Sequence, residues 1–111
     1  QLELSNGARA GLTGAVSALA RRASARNVTI NGLLPGQFDT DRLRSNSKRV
    51  SEQTGQPFEA VHDAKKRNIP AERFGNADEF GAAATFLCSA HAGYITAQNI
   101  LIDGGNFPGT L

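Results

Sequence analysis

Cysteine is almost missing. The 111 residues hold one, Cys88, so no internal disulfide can form and no cysteine cluster can bind zinc. That excludes a disulfide-stapled secreted module and a cysteine-based metal domain. Aromatic residues are scarce too: six Phe, one Tyr and no Trp. A protein that stacks nucleobases needs aromatic platforms among its basic residues, and the most basic stretches here carry a lone Phe. No nucleic-acid partner is expected. The chain lacks a run of about eighteen apolar residues, and no charged start leads into an apolar signal stretch. Membrane insertion and export are therefore not expected, and the expected location is the cytoplasm. No charge sign dominates, with twelve Lys plus Arg against ten Asp plus Glu. His62 and His91 are not read as paired with a carboxylate or cysteine in a metal site. No metal site is expected, and solvated or capping roles are assigned to both.

What is present suits one small globular domain. The apolar share is 40%, enough for a modest core in a chain of this length. Gln1 to Gly7 shows no cap or start signal. From Ala8 onward Leu12, Ala15, Val16, Leu19 and Ala23 follow helical spacing on one face, and Arg21, Arg22 and Arg26 crowd the C-terminal end where cations complement the helix dipole. Asn27 is the expected stop. Val28-Thr29-Ile30-Asn31-Gly32-Leu33-Leu34, closed by Pro35-Gly36, reads as a buried strand. Asn31 is expected to be structural.

The stretch from Gln37 to Arg73 is polar and weakly periodic, with Val50, Phe58, Val61 and Ile69 as scattered anchors. Short helices joined by Gly55-Gln56-Pro57 are expected, and long surface segments of this kind often form binding loops or lids. Lys65-Lys66-Arg67 reads as a solvated face. Asn76-Ala77-Asp78-Glu79 then sets an N-cap with a carboxylate three residues on, the capping-box arrangement. Phe80, Ala83, Ala84 and Leu87 share a helical face behind it, and Cys88 beside them is expected to be an inert small core residue. Asn99-Ile100-Leu101-Ile102-Asp103, stopped by Gly104-Gly105, reads as a second strand covered on both faces. The order is helix, strand, long insertion, helix, strand. Two such strands do not make a stable open sheet alone. The pattern is α/β and looks like the second half of a doubly wound domain.

Three motifs in order carry a resemblance to the short-chain dehydrogenase/reductases. The stretch from Asn27 to Thr40 resembles that family's late strand and Pro-Gly loop. Arg73-Phe74-Gly75-Asn76-Ala77-Asp78-Glu79 resembles its Arg-Phe-Gly helix start. Tyr94-Ile95-Thr96-Ala97-Gln98-Asn99 through Asp103-Gly104-Gly105 resembles its last strand. The resemblance implies the C-terminal part of a Rossmann-like parallel-sheet domain, with two strands and about four helices, incomplete alone. It makes residues 1–111 one half-domain with a lid-like insertion over 39–73.

The resemblance also implies NAD or NADP as cofactor and hydride transfer between a carbonyl and an alcohol. A small carbonyl or alcohol substrate, or an acyl thioester, would be the partner, as in 3-oxoacyl reductases, and a homo-oligomer is implied through the last helix and strand. No Gly-x-x-x-Gly-x-Gly or Gly-x-Gly-x-x-Gly turn lies between a strand and a helix here, so the pyrophosphate-binding element of such domains is not in these residues. By resemblance Pro35, Gly36, Phe38 and Thr40 line the nicotinamide side.

Alignment on Arg9-Ala10-Gly11-Leu12-Thr13-Gly14 departs from the family at the reacting groups. It puts Arg9 where the family's lysine holds the ribose, and Ser5 where its tyrosine exchanges the proton. Arg9 keeps a permanent charge and forked donors. Ser5 is a much weaker acid than a phenol and is shorter by a ring. Ser5 and Arg9 are thus the candidate catalytic positions, Arg9 doubling as a cofactor contact. The rival reading is a catalytically impaired relative that keeps the fold and serves in binding or assembly.

Overall fold

The computed structural model describes residues 2–109, with the side chains of Leu2, Glu3 and Ser5 outside the described set. The chain divides into two compact units, Gln1–Leu33 with Ala83–Ile100, and Leu34–Ala82 with Leu101–Leu111.

The first unit opens with helix α1, Leu2–Ala23. It begins earlier than the pattern from Ala8 suggested, because Leu and Glu in its first turn are good helix formers and need no cap signal to extend a helix. A short 3-10 turn, Ser24–Arg26, follows, and Asn27 stops the chain in the left-handed region at φ 58°. Its N–H donates to the Ser24 carbonyl at 3.0 Å, and Val28 N–H to the Ala23 carbonyl at 3.4 Å. Asn tolerates this backbone, which is why it ends helices. Among the described residues of α1 only Ala20 is buried, while Leu12 and Leu19 of the expected apolar face are 64% and 48% exposed. Strand β1 is Gly32–Pro35, shorter than the expected run, with Val28 outside it and exposed.

Asn31 ties this unit together as expected. Its Nδ2 donates to the Ile95 carbonyl at 2.8 Å, and its Oδ1 accepts from Gln98 N–H at 3.1 Å. Gly32 N–H donates to the Gln98 carbonyl at 2.8 Å, where strand β2, Asn99–Ile102, begins.

In the second unit Gly36 N–H donates to the Ile102 carbonyl at 2.9 Å. Residues 32 and 36 thus meet 98 and 102, both strands advancing together, so β1 and β2 pair in parallel. Helix α2, Asp41–Thr54, ends at Gly55 with φ 70°, and α3, Phe58–Arg67, starts after Pro57. This is the expected helix pair. Of its expected anchors Val61 and Ile69 are buried, together with the following Phe74, while Val50 and Phe58 are half-buried.

His62 overturns its solvated assignment. It is 8% exposed, stacked on Phe58 with ring centroids 5.0 Å apart and edge-on to Phe74 at 4.9 Å. Its Nδ1 lies 3.1 Å from the Oγ of fully buried Ser47. Lys65 Nζ donates to that same Oγ at 3.0 Å and to Asn46 Oδ1 at 2.7 Å. Lys66 pairs with Asp63 at 2.9 Å, so two ammoniums of the Lys65–Arg67 run are engaged in the fold and only Arg67 fits the solvated face.

Helix α4 is Ala77–Leu87. The capping box forms as expected: Glu79 N–H donates to Asn76 Oδ1 and Asn76 N–H to Glu79 Oε2, both at 2.9 Å. Cys88 is exposed, contrary to the core assignment; its N–H still donates to the Ala84 carbonyl at 3.0 Å, but Ala84 and Leu87 on the same face are themselves only half-buried. The strands are half-buried to exposed rather than covered, since a two-stranded sheet leaves both outer edges and much of each face open.

Candidate functional site

The Pro-Gly loop is held from both sides. An ideal Cβ on Gly36 would come within 2.6 Å of the Asp103 Cβ and 2.7 Å of its Cα, so the loop passes Asp103 at a distance only glycine permits. Asp103 is itself fixed: Oδ1 accepts from Gly105 N–H at 2.9 Å and Oδ2 from Phe107 N–H at 2.8 Å. Two residues beyond Gly36 the chain makes an isolated parallel bridge, Phe38 with Gly75. Gly75 N–H donates to the Gln37 carbonyl at 3.0 Å and Asp39 N–H to the Gly75 carbonyl at 2.9 Å. In such a bridge the N–H and C=O of Phe38 itself point to the opposite edge.

Pro35, Gly36, Phe38 and Thr40, the four loop residues singled out from sequence, line one cavity of about 390 Å³ with Asp39, Ala77 and Phe80. Phe38 and Phe80 meet edge to face, ring centroids 5.8 Å apart, giving the cavity an aromatic wall. Thr40 caps α2: its Oγ1 accepts from Leu43 N–H at 3.3 Å. A hydroxyl that accepts still has its own hydrogen to donate. Next to it, Asp39 takes both forks of Arg44, Nε to Oδ1 at 2.9 Å and Nη2 to Oδ2 at 2.8 Å. That guanidinium holds the Asp39 carboxyl below its usual range and Asp39 in turn raises Arg44, so both stay charged.

An aromatic wall, an outward backbone amide and a hydroxyl donor are the donor set a flat carboxamide-bearing ring requires. The loop fits the nicotinamide end of a dinucleotide. Nothing comparable serves the pyrophosphate, because residues 1–111 contain no glycine-rich strand-to-helix turn.

Arg9 lies on α1 in the first unit and is exposed. Ser5 stands one helical turn before it, the spacing that sets two residues on one face, and the Ser5 side chain lies outside the described residues.

The second unit also holds a cavity of about 300 Å³ lined by Gln37, Arg73, Glu79, Asp103 and neighbours. Arg73 grips Glu79 with both forks, at 2.9 and 2.6 Å. This pair and the backbone N–H of Asn76 pull the Glu79 carboxyl down to about 2. Sequence reasoning missed both bidentate pairs. An acid and an Arg five or six residues apart across a helix start form no recognised sequence pattern, and only the fold brings them together. Among the described residues no cluster of His, Cys, Asp and Glu is arranged for a metal, and no helix is long and apolar enough to cross a membrane.

Parallel strands joined through helices, with a Pro-Gly loop leaving the first and Asp-Gly-Gly closing the second, define part of a doubly wound oxidoreductase-type fold. The chain belongs to the short-chain dehydrogenase/reductase family. Residues 2–106 match the family model described as enoyl-(acyl carrier protein) reductase. The chain is 36% identical over 99 residues to the 3-oxoacyl-(acyl-carrier-protein) reductase FabG of Aquifex aeolicus, a match covering 89% of this chain and 36% of that protein. It is 38% identical over 80 residues to the NADPH-dependent reductase BacG of Bacillus subtilis, covering 72% and 31%. Among solved structures, the NADPH-dependent reductase YwfH superposes with a TM-score of 0.81 at 33% identity, covering 91% of this chain and 38% of that one. The L-sorbose reductase of Gluconobacter frateurii gives 0.85 at 24% identity, which speaks for the fold. The chain spans about a third of the length of the curated relatives it matches.

Proposed function

We propose that these residues are the C-terminal part of an NAD(P)-dependent oxidoreductase that moves a hydride between a carbonyl and an alcohol. The observation that carries this reading is the loop Pro35–Thr40, pinned by Asp103 and Gly75 and lining one aromatic-walled cavity. When bound, the dinucleotide supplies or accepts the hydride. The Phe38 backbone and the Thr40 hydroxyl orient the carboxamide, while the rings of Phe38 and Phe80 exclude water from that wall. Arg9 holds the ribose hydroxyls with a permanent charge, and Ser5 stands where a proton must pass to or from the substrate oxygen. Relatives named for 3-oxoacyl thioester reduction support an acyl thioester as substrate, with residues 39–73 as the lid over it. A homo-oligomer in the cytoplasm completes the reading.

A second reading rests on Ser5. An alkyl hydroxyl is a far weaker acid than a phenol and falls short of a substrate placed for tyrosine, which favours a relative that binds the cofactor without turning over. One experiment separates the two. The full-length protein is titrated with NADH and NADPH by fluorescence, then assayed with acetoacetyl-CoA and simple ketones, as wild type and as Ser5→Tyr. Binding with turnover supports the oxidoreductase. Binding without it, and a gain of about a hundredfold or more on restoring the phenol, supports the impaired relative. No binding of either dinucleotide overturns both.

A further inference from the structure

The cavity at the Pro-Gly loop has a carboxylate in its wall, Asp39, where the function proposed above needs an anionic dinucleotide to approach. An unneutralised carboxylate there repels the phosphates, at a strength set by distance and screening. Arg44 does not line the cavity; it reaches Asp39 from the first turn of α2 and covers both carboxylate oxygens at 2.9 and 2.8 Å. The pair is local, both partners flanking the Thr40 cap, and Arg44 N–H donates to the Thr40 carbonyl at 3.0 Å. The backbone that carries the side chain is thus fixed by the helix, and the fork itself is held by Asp39.

We propose that Arg44 is a positioning residue for the cofactor: it neutralises and holds Asp39, so that the loop wall accepts an anionic dinucleotide. The inference rests on the oxidoreductase reading and concerns charge rather than contact. Removing the guanidinium exposes a negative wall, removing the carboxylate exposes a positive one, and removing both returns the wall to neutrality.

The test is the dissociation constant of NADH or NADPH, whichever the full-length wild type binds, measured at two ionic strengths. Arg44→Gln is expected to weaken binding about three- to tenfold at low salt, the scale of one charge near a solvated surface, and by less at high salt. Asp39→Asn is expected to tighten it by a similar factor. The double variant, and Arg44→Lys, which keeps the charge though not the fork, are expected within about twofold of wild type. Circular dichroism and thermal unfolding confirm the fold of each variant. Should Arg44→Gln misfold, Asp39→Asn still carries the sign of the effect. Equal weakening in the single Arg44→Gln and double variants marks a merely structural pair and overturns the inference while leaving the oxidoreductase reading intact. Unchanged affinity in Arg44→Gln and Asp39→Asn does the same. A wild type that binds neither dinucleotide overturns both.

Discussion

Ala97 sits at φ 58° in the turn that feeds the last strand, a conformation in which its Cβ crowds the following carbonyl. Its N–H is nevertheless fixed, donating to the Ile30 carbonyl at 2.9 Å. Ala97→Gly removes the clash but frees the unfolded chain, so the expected net gain is up to about 1 kcal/mol, read as a rise in thermal midpoint. Glu79 shows the opposite case, a residue whose environment suits it. Its carboxyl is lowered from 4.5 to about 2 in the fold, so the unfolded chain takes up the proton first as pH falls. The stabilising contribution is full above about 4.5 and is lost as pH descends toward about 2. Carbonyl NMR titration of Glu79 checks this. A midpoint at the ordinary value would show that the Arg73 fork is open in solution. The capping role of Glu79 was legible from sequence because Asn76 lies three positions before it, whereas the Arg73 fork was not.

At the scale of elements, legibility followed range. Gly55-Gln56-Pro57 announced the break between α2 and α3, and Pro35-Gly36 the end of β1, because each acts on its own backbone. His62 gave no such sign. Besides Phe58 on its own helix, its surroundings are Ser47, fifteen residues back, and Phe74, twelve ahead, and only the packing of α3 on α2 and the turns after α3 bring them together. Ser47 Oγ accepts from Lys65 Nζ and lies within hydrogen-bond distance of His62 Nδ1, so one buried hydroxyl joins the two helices. Ser47→Ala leaves both partners short inside the unit. The expected cost is about 1–3 kcal/mol, measured as a lower denaturant midpoint with an unchanged slope. Of the site, the four loop residues were readable as a motif, whereas Arg44 was not, because a charge spaced five residues from an acid across a helix start has no pattern of its own.

For the whole molecule the balance of surface is the informative quantity. Among the described residues five apolar side chains are buried, two of them alanines in the first unit, while Leu4, Leu12, Leu19, Val28, Leu34, Phe86, Tyr94 and Phe107 stay exposed. The helix α1 forms as read, but its expected apolar face is largely exposed, since a periodic face states only that something should cover it. These 111 residues prepared alone are expected to self-associate. Sedimentation velocity over a hundredfold range near micromolar concentration should show a rising sedimentation coefficient. A single concentration-independent monomer would mean that the exposed faces are tolerated by solvent.

The tethering of Asn31 has a bearing on how the protein ages. An asparagine followed by glycine is the sequence most prone to deamidate, since the glycine nitrogen can attack the side-chain amide and close a succinimide. Here both reactants are restrained: the amide is held by Ile95 and Gln98, and the Gly32 N–H is committed to the Gln98 carbonyl. Folded material should therefore keep Asn31 intact on prolonged storage, while unfolded material converts it to aspartate and isoaspartate. Peptide mapping at this one position then records the cumulative time each preparation has spent with its first unit open.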